Sequence, residues 1–424
     1  MTDHQKFQNA VYLRQDDCVG CATCIRRCPT GAIRVRDGKA RIKKEYCIDC
    51  GECIRVCPHH AKIADHDPLI CMNQYKYTVA LPAPALYAQF NNLTDTNIVL
   101  SGLIDMGFND VFEVGAAAEI VSRMTRKYIR EHPEGRPYIS TACPAITRLI
   151  RIKYPNLIPN LIPILAPVEI AAHLARKKAL KDTGLDSDDI GIFFISPCPA
   201  KVSACKSPLT SDVCQVDGVL SIRDVYPVLL SHMEKVADSP AQLAKAGRIG
   251  VGWGHSEGEA AALLTDDYLA ADGIENVIRA LDDFEDSSLQ HLKFIELNAC
   301  NGGCVGGTLT VENPYIARSR LKRIKRNLPN VPDPPIPTDF GYWTKSIEYE
   351  PVYKLGENFR ENLAIMKQIN EITSTLPGID CGACGAPSCN LLAEDIVRGL
   401  AKETDCIYIY RNKYGDKEEQ NEGQ

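Results

Sequence analysis

The stretch CVGCATCIRRCP, residues 18–29, places four cysteines in a C-x2-C-x2-C-x3-C-P pattern. The stretch CIDCGECIRVCP, residues 47–58, repeats the whole pattern 29 residues further on. The chain has 19 cysteines, an odd number, and most of them lie two to four residues apart. Thiolates at such spacing suit soft iron or zinc centres better than a framework of disulfide bonds.

Two complete copies of this pattern are typical of the bacterial two-cluster ferredoxins, which bind two [4Fe–4S] clusters. Three close cysteines bind one face of a cubane, and the fourth reaches across to the other cluster. The first predicted cluster is bound by Cys18, Cys21, Cys24 and Cys57. The second is bound by Cys28, Cys47, Cys50 and Cys53. A pair of zinc sites is the alternative interpretation.

Length and composition limit the other possibilities. A chain of 424 residues suggests two to four domains. The net charge of -6 is modest, which disfavours nucleic acid and an anionic membrane as partners. The first ten residues do not resemble a signal peptide, and the most apolar stretch, 157–175, contains three prolines. We therefore expect a cytoplasmic protein without a membrane segment.

A third cysteine-rich stretch, DCGACGAPSC, lies near the end of the chain at residues 380–389. Leu392, Ile396 and Leu400 share one face of a predicted helix that would return the chain to Cys406. This segment resembles the small single-cluster domains of electron-transfer complexes and corrinoid proteins. The predicted ligands of one further [4Fe–4S] cluster are Cys381, Cys384, Cys389 and Cys406, with a zinc knuckle as the alternative.

The middle of the chain has the pattern of an α/β domain. Short apolar runs at 191–196 and 248–253 predict strands, and 166–180 has a helical pattern. The proline-rich segment 329–337 predicts a linker or an extended wrap. A basic helix is expected at 316–328, where the charges form either a solvated face or a docking patch for an acidic redox partner. Its basic residues are Arg318, Arg320, Lys322, Arg323, Lys325 and Arg326.

Four cysteines of this middle region lie in three separate short motifs. The motifs are STACPA at 140–145, SPCPAK at 196–201 and ELNACNGGCVGG at 296–307. Four thiolates on three segments are enough to bind one cubane between two lobes. The predicted ligands are Cys143, Cys198, Cys300 and Cys304.

In this order, the three motifs resemble the signatures of the [FeFe]-hydrogenases over residues 78–328. The resemblance implies the H-cluster, in which a [4Fe–4S] cubane carries a diiron subcluster with CO, CN⁻ and a bridging dithiolate. Cys304 matches the cysteine that bridges the two parts, and Lys201 matches the lysine that hydrogen-bonds a cyanide. The implied reaction is the reversible conversion of H2 to protons and electrons.

Several positions depart from the family pattern. Thr147 or Ile146 stands at a tryptophan position, Ser196 replaces a methionine, and Ala204 replaces a glutamate of the proton relay. Ala142 stands where the family has a cysteine that relays protons, and alanine has no proton to give. Asn298 replaces a methionine of the third motif, although Glu296 remains. These departures resemble the sensory subgroup of the family and imply a slow enzyme, because loss of a proton donor lowers rates.

We therefore expect a multi-domain α/β protein. A two-[4Fe–4S] ferredoxin-like dicluster domain would span 1–77, a two-lobed α/β hydrogenase domain 78–345, and a small helical [4Fe–4S] domain 346–424. The expected partners are H2, a redox partner (a ferredoxin or a signalling protein) and hydrogenase maturation proteins. The alternative function is a non-catalytic electron-transfer or scaffold protein that carries only [4Fe–4S] clusters.

Overall fold

The protein is described from a computed structural model that covers residues 9–135, 137–286 and 289–418. The chain divides into two compact units. Of the described residues, the larger unit contains 9–10, the short segment 48–51 and the chain between 64 and 349. The smaller unit contains residues 11–47, 52–63 and 350–418. The cysteine-rich segments near the two ends of the chain therefore share one compact unit.

The strands are β1 (Val11–Leu13), β2 (Ile33–Arg36), β3 (Lys39–Ile42), β4 (Lys62–Ala64), β5 (Tyr77–Pro82), β6 (Asp110–Val111), β7 (Tyr138–Ile139), β8 (Ile190–Ser196), β9 (Gly218–Ser221), β10 (Tyr268–Asp272) and β11 (Phe294–Asn298). The helices are α1 (Thr23–Arg26), α2 (Glu52–Arg55), α3 (Pro84–Tyr87), α4 (Thr96–Asp105), α5 (Val114–Glu131), α6 (Pro144–Lys153), α7 (Pro167–Thr183), α8 (Pro199–Lys206), α9 (Ile222–Val236), α10 (Arg248–Gly252), α11 (Gly258–Ala261), α12 (Ile274–Glu285), α13 (Pro314–Asn327), α14 (Phe359–Thr375), α15 (Cys389–Val397) and α16 (Ile407–Glu418). Among the described residues, no helix is long and apolar enough to cross a membrane.

Two parallel sheets form the framework of the larger unit. One has the strand order β6-β5-β8-β9 and the other β10-β11-β7, and every pair is parallel. All seven residues of β8 are buried, which explains why its sequence is a continuous apolar run rather than an alternating one. The predicted α/β fold with two lobes is confirmed, as are the strand at 191–196 and the helix at 166–180.

The three cysteine motifs of the middle region all follow the carboxyl ends of parallel strands. STACPA follows β7, SPCPAK follows β8, and the C-x3-C loop follows β11. In parallel sheets these ends are the usual place for ligand sites, because the loops that follow them converge there. The fold therefore collects the predicted ligands from both sheets.

The prediction of a strand at 248–253 is wrong, because these residues form α10. The carboxylate of Glu119 accepts hydrogen bonds from the backbone N–H groups of Gly247 and Gly250, at 2.9 and 3.1 Å. A Cβ on Gly250 would lie 2.1 Å from the carbonyl oxygen of Gly115 on α5. The glycines and apolar residues of this run thus allow α10 to pack closely against α5. Periodicity alone does not distinguish a strand from a helix in so short a run.

A buried carboxylate holds the smaller unit together. Asp395 on α15 is 1% exposed and forms ion pairs with Arg34, at 2.6 Å, and Arg36, at 2.9 Å. Lys43 also reaches it at 3.4 Å. The backbone N–H of Val35 in addition donates to the carbonyl of Gly385, at 2.8 Å. The C-terminal cysteine-rich segment is therefore fixed to the β2–β3 hairpin by buried charge pairs, which are costly to break.

The proline-rich segment 329–337 wraps over the larger unit. The backbone N–H of Arg248 donates to the carbonyl of Pro329, and Arg126 pairs with Asp333. The basic helix was predicted at 316–328 and is found as α13, with Leu321 and Ile324 buried. Two of its basic residues form ion pairs inside the larger unit, Arg318 with Glu257 and Arg320 with Glu312.

Candidate active site

Two of the predicted ligands cap helices. Cys143 is the N-cap of α6, and Cys198 is the N-cap of α8. Proline follows each of them at the first helical position, where its fixed φ and missing N–H suit a helix start. Burial raises the pKa of the Cys198 thiol to about 11, although the charge of Lys201 opposes this.

The third motif forms a tight loop after β11. Gly302 and Gly303 have φ of +80° and +86°, which only glycine adopts without strain. A Cβ on Gly303 would lie 2.4 Å from the backbone nitrogen of Ser256. The loop thus passes close to the 255–256 backbone between Cys300 and Cys304. Cys300 is 9% exposed, and its carbonyl accepts a hydrogen bond from Gly303 at 3.1 Å.

Lys201 brings a positive charge to these thiols. Its Nζ donates to the carbonyl of Ala142, at 3.3 Å, and to the Sγ of Cys304, at 3.6 Å. Burial alone would lower the pKa of Lys201, but the charges of Cys304, Cys198 and Cys143 outweigh it and hold the pKa above its usual value. A buried cation among three thiolates fits an anionic cluster bound by the same sulfurs.

A cavity of about 600 Å³ lies beside this lysine. The residues predicted from sequence as catalytic, Ala142, Lys201, Glu296 and Cys304, all line it. The structure thus brings these four together, although Glu296 lies on β11 and Lys201 on α8, which follows β8 of the other sheet. Glu259 lines the same cavity and was not predicted.

Glu259 and Glu296 form a buried pair of carboxyl groups. Burial and the charge of Glu296 together raise the pKa of Glu259 to about 8. Burial likewise raises the pKa of Glu296 to about 7, although Ala260 and Asn298 donate hydrogen bonds to it. Carboxyl groups that exchange a proton near neutral pH suit general acid–base chemistry.

A hydroxyl links this pair to the loop of Cys143. Ser140 donates to Glu259 at 2.6 Å, and its Oγ accepts a hydrogen bond from the N–H of Ala142 at 3.2 Å. Neither Ser140 nor Glu259 belongs to a motif with recognisable spacing, as the cysteines do. The sequence alone therefore did not identify them as site residues. The stretch GHSEGEAAAL drew attention to its Ser256, and Glu259 lies three residues further on.

The smaller unit contains a second cavity, of about 340 Å³. All four predicted ligands of the first ferredoxin-like cluster line it, namely Cys18, Cys21, Cys24 and Cys57. The N–H of Ala40 donates to the Sγ of Cys18 at 3.4 Å. Backbone N–H groups directed at ligand sulfurs are a usual feature of iron–sulfur sites, and four thiols around one cavity fit a cubane.

The predicted ligands of the second ferredoxin-like cluster are divided between the two units. Cys28, Cys47 and Cys53 pack in one apolar cluster of the smaller unit, and the N–H of Ala32 donates to the Sγ of Cys28 at 3.3 Å. Cys50 belongs to the short segment 48–51 of the larger unit.

The four C-terminal cysteines lie in the smaller unit. Cys389 begins α15, Cys384 and Cys406 pack in one apolar cluster with it, and Cys381 is exposed. Burial raises the pKa of Cys384, and the charges of Cys381 and Cys406 raise it further. Among the described residues, no group of three His, Cys, Asp or Glu side chains is arranged to hold a single metal ion.

Three family profiles match the chain. The iron only hydrogenase large subunit, C-terminal domain, matches residues 76–308. The 4Fe-4S dicluster domain matches residues 10–58, and a putative Fe-S cluster domain matches residues 376–408. The two flanking profiles cover the stretches in which the repeated and the C-terminal cysteine motifs were found.

Individual relatives match smaller parts. Iron hydrogenase 1 of Clostridium pasteurianum is 23% identical over 307 residues, which are 60% of this chain and 54% of that protein. The chain thus spans about half the length of that relative. A component of the ion-translocating oxidoreductase complex of Rhodobacter capsulatus is 53% identical over 38 residues, 9% of this chain and 20% of that protein.

Solved [FeFe]-hydrogenase structures are among the matches. An apo variant of the [FeFe]-hydrogenase HydA1 from Chlamydomonas reinhardtii superposes with a TM-score of 0.45 at 16% sequence identity. The superposition covers 58% of this chain and 84% of that one. Because the hydrogenase profile alone covers more than half of the sequence, the chain belongs to the [FeFe]-hydrogenase family and is an iron–sulfur redox protein.

Proposed function

We propose that the protein converts H2 reversibly to protons and electrons, slowly, and that it serves to sense H2. The observation that carries the proposal is the cavity lined by Lys201, Cys304 and Glu296. It joins a buried cation, a predicted cluster ligand and a carboxyl group whose pKa lies near neutral. A purely electron-transferring protein has no need for an acid–base group at such a place.

The residues of this cavity fit the H-cluster. Cys143, Cys198, Cys300 and Cys304 would bind its cubane, and Lys201 would donate a hydrogen bond to an anionic ligand of the diiron subcluster. When bound, the diiron subcluster supplies the chemistry of H2 cleavage. Lys201 has three donor hydrogens, and the carbonyl of Ala142 and the Sγ of Cys304 take two of them. The third remains for the cofactor.

The protein must also move protons. Glu259 and Glu296 would exchange protons with the cavity, and Ser140 holds Glu259 in place by its hydrogen bond. This route would replace in part the thiol that Ala142 lacks. A route that begins further from the cofactor explains a slow reaction, because proton transfer depends on donor and acceptor being in reach.

Electrons would leave through the cubanes, four in all when the two other cysteine-rich segments are included. The segment that carries Cys50 is built into the larger unit through Asp49, which is 1% exposed. Asp49 accepts hydrogen bonds from Ser203 on α8, at 2.5 Å, and from Arg148 on α6, at 3.2 Å. These helices begin at Cys198 and Cys143.

Infrared spectroscopy tests the proposal most directly. After anaerobic treatment with hydrogenase maturation proteins, we expect absorption bands of metal-bound CO and CN⁻ and a measurable H2-dependent reduction of a dye. Protein that carries only [4Fe–4S] clusters shows no such bands. If fully cluster-loaded protein acquired neither bands nor activity, the alternative of an electron-transfer or scaffold protein would be correct.

Ala142→Cys should raise the rate of H2 turnover. The new thiol would add a titratable group beside the cofactor, and positioned proton donors contribute about 10²–10⁴-fold in rate. We expect a gain of about tenfold, because the remaining route starts from Glu259. The matched control is Ala166→Cys, which adds a thiol to the same cavity on a different loop. An equal gain in both variants would contradict a specific role for position 142.

We further propose that the electrons pass to a ferredoxin or a signalling protein in the cytoplasm. The exposed basic residues of α13 are the candidate docking surface, and an acidic partner would fit them. Two of the six basic residues are already engaged by Glu257 and Glu312. The remaining charges, rather than all six, would form the contact.

A further inference from the structure

Lys62 is a buried lysine whose ammonium group has no hydrogen-bond partner among the described residues. It is the first residue of β4 and is 2% exposed. It lines the 340 Å³ cavity of the smaller unit together with the four predicted ligands of the first cluster. A buried ammonium group loses its hydration and requires a compensating negative charge.

The internal repeat shows that this lysine is specific to one of the two halves. The period of 29 residues aligns Cys28-Pro29 with Cys57-Pro58, and it aligns Lys62 with Ile33. Ile33 is also 2% exposed and packs in the apolar cluster that contains Cys18, Cys24 and Cys53. One half of the repeat therefore has an apolar side chain at this place, and the other half has a charge.

A cubane bound by four thiolates supplies the missing negative charge. Its net charge is negative in both oxidation states and becomes more negative by one unit on reduction. A buried, fixed cation beside the cluster therefore stabilises the reduced state more than the oxidised state. Its effect is larger than that of a surface lysine, because solvent does not screen it.

We propose that Lys62 raises the reduction potential of the cluster bound by Cys18, Cys21, Cys24 and Cys57. The two clusters of the repeat then differ in potential although their ligand patterns are the same. Cys21 is exposed, so the cluster with the higher potential is also the one near the surface. Electrons collect there, at the end from which a partner protein can take them. The proposal rests on the ligand assignment of this cluster and not on the reaction with H2.

The test is a potentiometric titration of anaerobically reconstituted full-length protein, followed by electron paramagnetic resonance. We expect Lys62→Met and Lys62→Ile to change the ratio of reduced to oxidised cluster at a fixed potential by at least tenfold. For a one-electron couple this is a decrease of the midpoint by about 59 mV. Lys62→Arg keeps the charge and should stay near the wild type.

Two controls assign the shift of the midpoint potential to this cluster and to the buried charge of Lys62. The signal of this cluster is the one that disappears in Cys24→Ala. Lys44→Met removes an exposed lysine of the same unit and should leave every midpoint unchanged. An unchanged midpoint in Lys62→Met with full iron content overturns the proposal.

The iron content per chain is measured as well, in case a substitution of Lys62 causes loss of the cluster. If Lys62→Met lost about four iron atoms per chain and Lys62→Arg kept them, the charge would be required to hold the cluster, which supports the proposal. If both variants lost them, the role of Lys62 would be in packing, and the proposal would be overturned. Plain cubanes suffice for this titration, so its outcome is separate from that of the infrared test for the H-cluster.

Discussion

Glu259→Gln should lower the rate of H2 turnover by about 10²-fold or more, because it removes a positioned proton donor and acceptor. Glutamine has nearly the same shape, and its side-chain oxygen can still accept the hydrogen bond from Ser140. Iron content and the infrared bands of CO and CN⁻ should therefore persist. The measurement is H2 oxidation and evolution at equal cofactor loading.

Glu257→Gln is the matched control for this variant. Glu257 is the N-cap of α11, which contains Glu259, but its side chain is half exposed and pairs with Arg318 at the surface. We expect its rate to stay within about twofold of the wild type, since surface ion pairs contribute little. A loss confined to Glu259→Gln assigns the effect to proton transfer. Unchanged turnover in Glu259→Gln would place the proton route elsewhere.

The double variant Ala142→Cys with Glu259→Gln separates two proton routes. If the thiol and the carboxyl group act in parallel, the new cysteine restores part of the rate that Glu259→Gln has lost. If they act in series, the cysteine restores nothing, because the next acceptor is missing. The non-additivity of the two changes is the quantity to measure.

The carboxyl group of Glu259 also makes the free energy of unfolding depend on pH. Its folded-state pKa is raised from the usual 4.5 to about 8, so the folded protein keeps a proton that the unfolded chain has released. The free energy of unfolding therefore decreases as the pH rises through this window. Glu259→Gln should reduce the change in the free energy of unfolding with pH. A variant that only alters packing, without removing the carboxyl group, should not.

The cysteine motifs could be predicted because their spacing is itself the chemical signal. Cys143, Cys198 and Cys304 come from three separate motifs, and all three lie close enough to Lys201 to act on its charge. Their common position after parallel strands follows from the α/β topology. A short apolar run with glycines, in contrast, does not distinguish a strand from the closely packed helix α10.

Single titratable side chains were harder to predict from the sequence than the cysteine motifs. Glu259 has its raised pKa because the tertiary structure buries it beside Glu296, and no local pattern reports burial. Asp395 pairs with Arg34 across 361 positions of sequence, a contact that only the folded chain reveals. Lys62 is different, because its alignment with Ile33 in the repeat is visible in the sequence. A charge at a position that is apolar in the other half of a repeat is a signal that sequence reading can use.

Cys304→Ala should abolish H2 turnover and prevent assembly of the predicted H-cluster. The sulfur of Cys304 is the only predicted ligand to which Lys201 donates among the hydrogen bonds described, at 3.6 Å. Its removal leaves a buried ammonium group without that partner and the cubane without its fourth ligand. We expect the loss of about four iron atoms per chain before maturation and of all CO and CN⁻ bands after it.

The matched control for this variant is Cys71→Ala. Cys71 is a half-buried thiol that packs in an apolar cluster of the larger unit and belongs to no predicted ligand set. Its substitution should leave about 16 iron atoms in the four cubanes, together with the infrared bands. The ferredoxin-like and C-terminal clusters should keep their magnetic resonance signals in both variants, since their ligands lie on other segments. Full iron content and intact bands in Cys304→Ala would show that the C-x3-C loop does not hold the cofactor, and the assignment of the third motif would then be wrong.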